Sequence, residues 1–165
     1  MKLIIAPRHI ERSMDVKALF EKGRYKAMLF SNPNDSKRAD ILVVDKVGIL
    51  KRIYAFATLV FVGGSLVRHG GHNILEPAYF SKPVIFGPYI FNFKDIAELF
   101  LKNRAAILVS DGNELYLAAS RLLSVPEERA ALGRRARQLI DENIGAADRI
   151  KESINVLLGD KGISL

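Results

Sequence analysis

Six short apolar runs punctuate this chain, at residues 3–6, 25–30, 41–44, 59–62, 83–86 and 106–109. Each has the length of a strand, and none shows the strict alternation of a half-solvated one. Between them, apolar residues recur at helical spacing. Val16, Leu19 and Phe20 mark a helix over 10–22, and Ile49, Ile53 and Ala57 mark one over 48–57. Asn73 can cap a short helix reaching about Phe80, and residues 93–101 read as another. Asp111 starts a helix over 111–124. Pro126 followed by Glu127 and Glu128 is a helix start with fixed φ and dipole-matched charge. That last helix is expected to reach about Leu158, with an interruption near Gly145.

Apolar strands separated by helices imply a parallel sheet covered on both faces. The expected fold class is therefore α/β, a single Rossmann-like domain over residues 1–165 with about six parallel strands and right-handed crossovers. Residues 3–6 are expected to be a buried strand. Ligands of such sheets lie beyond the carboxyl ends of the strands. The loops beginning at Pro7, Asp45 and Gly63 are thus expected to meet around one crevice. Residues 31–38 form a polar loop rich in turn formers, and no internal repeat, linker or low-complexity segment is visible.

The richest loop is residues 63–77, GGSLVRHGGHNILEP, which directly follows the fourth apolar run. Gly63, Gly64, Gly70 and Gly71 fall within it, as do His69 and His72. Paired glycines at a strand end, leading into a helix start, let backbone N–H groups approach a phosphate. Ser65 adds a hydroxyl, and Asn73 opens the helix. The spacing matches neither the dinucleotide fingerprint nor the P-loop. Glu76 can complete a capping box with Asn73, or accept hydrogen bonds from two ribose hydroxyls. Pro77 beside it restricts the backbone.

Arg8 and His9 follow the first strand. A guanidinium there can pair bidentately with a phosphate or carboxylate, or lie on the surface. Gly48, after the third strand, allows backbone to come close to a ligand. Three histidines at strand ends could in principle hold zinc, but no carboxylate shows ligand spacing with them, so no metal is expected. Gly87 and Pro88 form a turn that can be structural or ligand-facing. Arg129, Arg134, Arg135 and Arg137 share a long helix with several acids and read as a solvated face.

Composition narrows the setting. Apolar residues make up 49% of the 165, and no run approaches the roughly 18 residues that span a bilayer. The opening MKLIIAPRH is too short for a signal peptide. With no cysteine, disulfides and thiolate chemistry are excluded. The net charge is +7, of which residues 1–52 carry +6. Such a basic front half could face nucleic acid, anionic lipid or a phosphorylated substrate. The chain has no tryptophan, and its aromatics read as core rather than as a stacking platform for nucleic acid.

APRH at Ala6 to His9, FVGGSLV-HGGHN-LEP at Phe61 to Pro77, and KPV-FGP---NF at Lys82 to Phe93 resemble the 3-deoxy-D-manno-octulosonic acid (Kdo) transferases of Gram-negative bacteria. The resemblance covers essentially the whole chain, in order. It implies the C-terminal, donor-binding half of a two-domain GT-B glycosyltransferase, with the N-terminal acceptor domain outside this sequence. By that resemblance Arg8, Gly63, Gly64 and Ser65 would hold the phosphate and sugar acid of CMP-Kdo. Asn73 and Glu76 would lie near phosphate and ribose, Gly48 near cytosine, and His9 and His72 match motif positions. The resemblance implies no cofactor and no catalytic residue here, the general base being a glutamate of the N-terminal domain. It implies transfer of Kdo to a lipid A precursor at the cytoplasmic side of the inner membrane, with peripheral attachment or an anchor through that N-terminal part. At the position after Gly48 the family usually carries an acid, where this chain has Ile49. Two other functions fit parts of the pattern. One is a GT-B glycosyltransferase or epimerase using a UDP-sugar, and the other a basic nucleic-acid-binding module.

Overall fold

The computed structural model describes residues 2–32 and 39–159, with side chains to residue 143. The expected loop over 31–38 therefore lies mostly outside the described residues. By contacts the chain divides into two compact units, Met1–Ile53 and Tyr54–Leu165. All six expected strands form, and every strand pair is parallel. They pair as two sheets of three rather than one of six. The strands are only two or three residues long, so each ladder has few bonds.

In the first unit β1 (Leu3–Ile5) and β2 (Ala27–Leu29) flank β3 (Ile41–Val43). Leu3 and Ala27 both register with Ile41. A 3-10 turn (Ile10–Arg12) leads into α1 (Ser13–Lys22), which packs on β2 and β3. Ile41, Val43 and Val44 are buried, and the buried Ser13 hydroxyl donates to the Val44 carbonyl at 3.5 Å. The expectation of a buried first strand fails. Leu3 is 46% and Ile4 40% exposed, because β1 is an edge strand and α1 covers its neighbours instead. The helix expected from Gly48 begins later, as α2 (Leu50–Phe56), and the boundary between the units falls inside it.

In the second unit β5 (Val84–Phe86) lies between β4 (Val60–Phe61) and β6 (Ile107–Leu108). Its three residues are completely or almost completely buried. Val84 and Phe86 join Val62, Ile74, Ala78, Phe100 and Ala136 in one cluster, while Ile85 joins Val109, Leu122 and Leu132 in another. This is the period-two split of a strand covered on both faces. The helices are α3 (Leu75–Tyr79), α4 (Lys94–Lys102), α5 (Gly112–Ser124) and α6 (Pro126–Gly159). Asp111 caps α5 as the sequence predicts, its carboxylate accepting from the N–H groups of Asn113 at 2.8 Å and Glu114 at 2.9 Å. Glu114 reaches back to accept from Ser110 N at 2.7 Å, one residue before the cap.

α6 departs from expectation twice. It runs unbroken through Gly145. One glycine costs a helix only about 1 kcal/mol relative to alanine, too little to break it. Its arginines also do more than face solvent. Arg129 Nη1 donates to the carbonyls of Leu122 and Leu123 in the last turn of α5, at 3.1 and 3.3 Å. Arg135 Nε donates to Arg104 O, just past α4, at 2.5 Å. Arg137 Nη1 donates to Tyr79 O, the last residue of α3, at 2.7 Å. Three helices thus end against cations supplied by one, which answers both their open carbonyls and their negative dipole ends. Of the four arginines, only Arg134 keeps the expected role and stands exposed.

Candidate functional site

The glycine loop is built from the end of β4 outward. Val62 N donates to Ile85 O at 2.9 Å, extending the ladder by one residue before the chain turns. Gly64 then takes φ +73°, and Gly70 and Gly71 take +86° and +64°. These left-handed conformations are open to glycine at little cost and strained for other residues. The two pairs lie against each other, since a Cβ on Gly64 would come within 3.8 Å of Gly71 N. The same Cβ would lie 3.6 Å from His69 Cβ, and one on Gly63 would lie 3.9 Å from the His72 ring. The loop therefore folds back on itself as a double turn, with the half-buried His72 against its first glycine.

Ser65 has a different task from the one expected. It is fully buried, and its hydroxyl is committed internally. Oγ donates to Val62 O at 2.5 Å and accepts from Gly87 N at 2.7 Å. Its carbonyl accepts from Tyr89 N at 2.9 Å. The turn after β5 is thereby stitched to the glycine loop, so Gly87 is a structural glycine rather than a ligand contact. A Cβ there would fall 2.3 Å from Ser65 O.

Asn73 Oδ1 accepts from Leu75 N at 2.9 Å, an Asx turn that opens α3. The capping box that Glu76 could complete with Asn73 does not form, because the helix is capped at Ile74 rather than at Asn73. Glu76 is half-buried in the first turn of α3. With five residues, α3 contributes little dipole. Sequence reasoning missed Tyr54, on α2 in the same unit. Burial, and then the negative charge of Glu76, push its phenol up to about 12. It stays protonated as a neutral neighbour of the carboxylate. Only its place beside the Ile49 and Ile53 stripe could have marked it, and that gives no link to Glu76.

In the first unit Arg8 and His9 are exposed after β1, and His9 O accepts from Arg12 N at 3.1 Å at the start of the 3-10 turn. Gly48 is exposed with φ +84°, and a Cβ there would meet no protein atom within 4 Å, so its glycine answers the backbone conformation of the turn. Three residues before it, Asp45 accepts from Ser31 N at 2.9 Å and from the Ser31 hydroxyl. Burial alone would raise that carboxyl, but the Ser31 bonds outweigh it and hold Asp45 below the usual carboxylate range. A cavity of about 500 Å³ lies beside β2 and β3, lined by Met28, Phe30, Leu42, Lys2 and Lys46 among others; none of the candidate donor residues borders it. No group of three or more His, Asp or Glu able to hold a metal occurs among the described residues.

Parallel α/β units with a double-glycine turn at a strand's carboxyl end are the build of the Rossmann-like domains of GT-B glycosyltransferases. No protein-family profile matches the chain. The 3-deoxy-D-manno-octulosonic acid transferase of Chlamydophila psittaci is 39% identical over 93% of this chain and 35% of its own length. The enzyme of that name from Haemophilus influenzae is 35% identical over 94% of the chain and 37% of its own length. The crystal structure of the C-terminal CMP-Kdo binding domain of WaaA from Acinetobacter baumannii superposes with a TM-score of 0.79 at 30% identity, covering 84% of this chain and 73% of that one. The chain belongs to the Kdo transferase family, in the part that corresponds to this C-terminal domain. It spans little more than a third of the length of the curated relatives it matches.

Proposed function

We propose that this chain binds CMP-Kdo as the donor-binding part of a glycosyltransferase that moves Kdo to a lipid A precursor in lipopolysaccharide biosynthesis. The observation that carries the reading is the double-glycine turn, in a chain that superposes on a CMP-Kdo binding domain. Backbone N–H groups of Gly63 and Gly64 are assigned to the donor phosphate. The Ser65 hydroxyl braces the loop from within, because it is already bonded to Val62 and Gly87. Asn73 and Glu76, with His72 against Gly63, are assigned to the nucleotide, Glu76 to the ribose hydroxyls.

As the bond to Kdo breaks, negative charge grows on the departing CMP phosphate. Fixed donors already aimed at that position stabilise it without reorganising. The group that deprotonates the acceptor hydroxyl is assigned to the N-terminal domain of the complete enzyme. Contact with the cytoplasmic face of the inner membrane is assigned to that part too. No helix among the described residues is long and apolar enough to cross a membrane.

Titrating the chain with CMP, followed by amide resonances, tests the reading. Shifts at Gly63, Gly64 and Glu76 that UMP and UDP do not reproduce support it. No shift there at millimolar CMP would sink it, and equal response to UDP would transfer the chain to a UDP-sugar enzyme.

A further inference from the structure

A helix of five residues does not hold itself. The direction in which α3 presents Glu76 is therefore set by whatever grips its two ends. At the entry the grip is Asn73 Oδ1 on Leu75 N. At the exit, Pro77 O accepts from Phe80 N and Lys82 N, and Ala78 O from Ser81 N. Tyr79 O accepts from Arg137 of α6, 58 residues away.

That guanidinium is fixed on three sides. Its Nε donates to both carboxylate oxygens of Asp141 at 2.9 Å. Its Nη1 bonds Tyr79 O, and its Cζ stands 4.5 Å from the centre of the Tyr79 ring. Asp141 above all, and then Tyr79, raise its pKa, so its charge is constant. One turn earlier on α6, Gly133 passes so close to the α3 exit that a Cβ would fall 2.0 Å from Ser81 O. Ala136 and Leu139 are buried with Ile74 and Ala78 in the same cluster. Bare backbone at Gly133 sets the approach of the two helices. Arg137, with its planar fork, sets the end of α3 against it.

We propose that Arg137 is a positioning residue for the donor site, holding α3 so that Glu76 meets the ribose. The proposal rests on the assignment of Glu76 to the donor. The molecule supplies its own controls: Arg129 and Arg135 cap α5 and the turn after α4 in the same way, and neither partner segment carries a donor candidate.

The test is made on the full chain. CMP affinity and thermal midpoint are measured for Arg137→Ala, Arg137→Lys, Arg129→Ala and Arg135→Ala, with the carboxyl resonance of Glu76 followed in each. Arg137→Ala should weaken CMP binding roughly tenfold, as loss of a supporting contact behind a binding group does. Arg137→Lys should recover part of that, keeping one donor. Arg129→Ala and Arg135→Ala should lower the midpoint and leave the affinity within about twofold of the parent. Equal affinity losses in all three alanine variants, or none in Arg137→Ala, would overturn the proposal. If the parent chain does not bind CMP at all, the assignment of Glu76 fails separately. The carboxyl resonance still decides the contact: it moves in Arg137→Ala alone if Arg137 orients α3, and a resonance unmoved by that change overturns the positioning role.

Discussion

Gly87 and Ser65, 22 residues apart, share one contact that holds the glycine loop to the sheet. The Gly87 N–H donates to Ser65 Oγ at 2.7 Å, and a side chain on Gly87 would drive a Cβ to within 2.3 Å of Ser65 O. Gly87→Ala must push two backbone segments apart, and overpacking of this kind costs about 1–3 kcal/mol. Ser65→Ala leaves Gly87 N and Val62 O without a partner in a fully buried place, at about 1–3 kcal/mol for each unsatisfied group. Denaturant unfolding should show both variants destabilised by that order. CMP binding at a temperature where both are folded should fall as well, because the loop is no longer braced.

The same pair shows where the sequence is readable and where it is not. Strand positions are legible because six apolar runs sit between turn formers, and the Asp111 cap because its bonds are local, two and three residues on. The glycine pairs are legible because only φ above zero demands them, and three of their four glycines have it. The turns of the loop are thus legible, yet the internal bonding of the Ser65 hydroxyl is not, since its partner Gly87 is distant in sequence. The arginines of α6 fail for the same reason. Their partners are backbone carbonyls as many as 58 residues away, and such bonds leave no periodicity. Leu3 and Ile4 are apolar but exposed, because the pattern records what a strand could bury and not which face a helix covers.

Tyr54 should make the protein sensitive to alkali in a defined window. Its folded pKa of about 12 lies above the ordinary tyrosine value of 10.0. The folded state thus holds the phenolic proton more tightly than the unfolded one. The resulting stability is fully present below the unfolded pKa, and is lost as pH rises through the folded one. Between about pH 10 and 12 the parent should lose stability faster than Tyr54→Phe. Glu76→Gln should bring the Tyr54 phenol down, since the carboxylate charge helps to raise it. Phenolate absorbance titrations of the three proteins check both statements, and an unchanged Tyr54 titration in Glu76→Gln would break the link.

Asp45 gives the opposite sign. Its folded pKa lies below the ordinary aspartate value of 3.8 because the Ser31 bonds outweigh burial. Stability from this pair is present above the unfolded pKa and disappears as pH falls through the folded one. Ser31→Ala should raise the Asp45 pKa, read from its carboxyl resonance during acid titration. It should also flatten the acid limb of the stability curve. Because the pair is near the surface, the effect is small, within about 1 kcal/mol at neutral pH.

Asn73 separates folding from binding within one side chain. Its Oδ1 accepts from Leu75 N at the start of α3, and an oxygen in that place is all the turn requires. Asn73→Ala removes it and should cost about 1 kcal/mol of stability, the usual loss for a capping acceptor. Asn73→Asp keeps the acceptor, so stability should stay within about 0.5 kcal/mol of the parent. The same change sets a negative charge beside the loop assigned to the donor phosphate, where it opposes the anion. The Asn73→Asp variant should therefore stay folded with CMP affinity lowered about tenfold or more, by roughly 1.4 kcal/mol or above. Calorimetric titration with CMP at low and high salt checks it: the loss should shrink as salt screens the repulsion. Unchanged affinity in the stable Asn73→Asp variant would move the phosphate away from the head of α3.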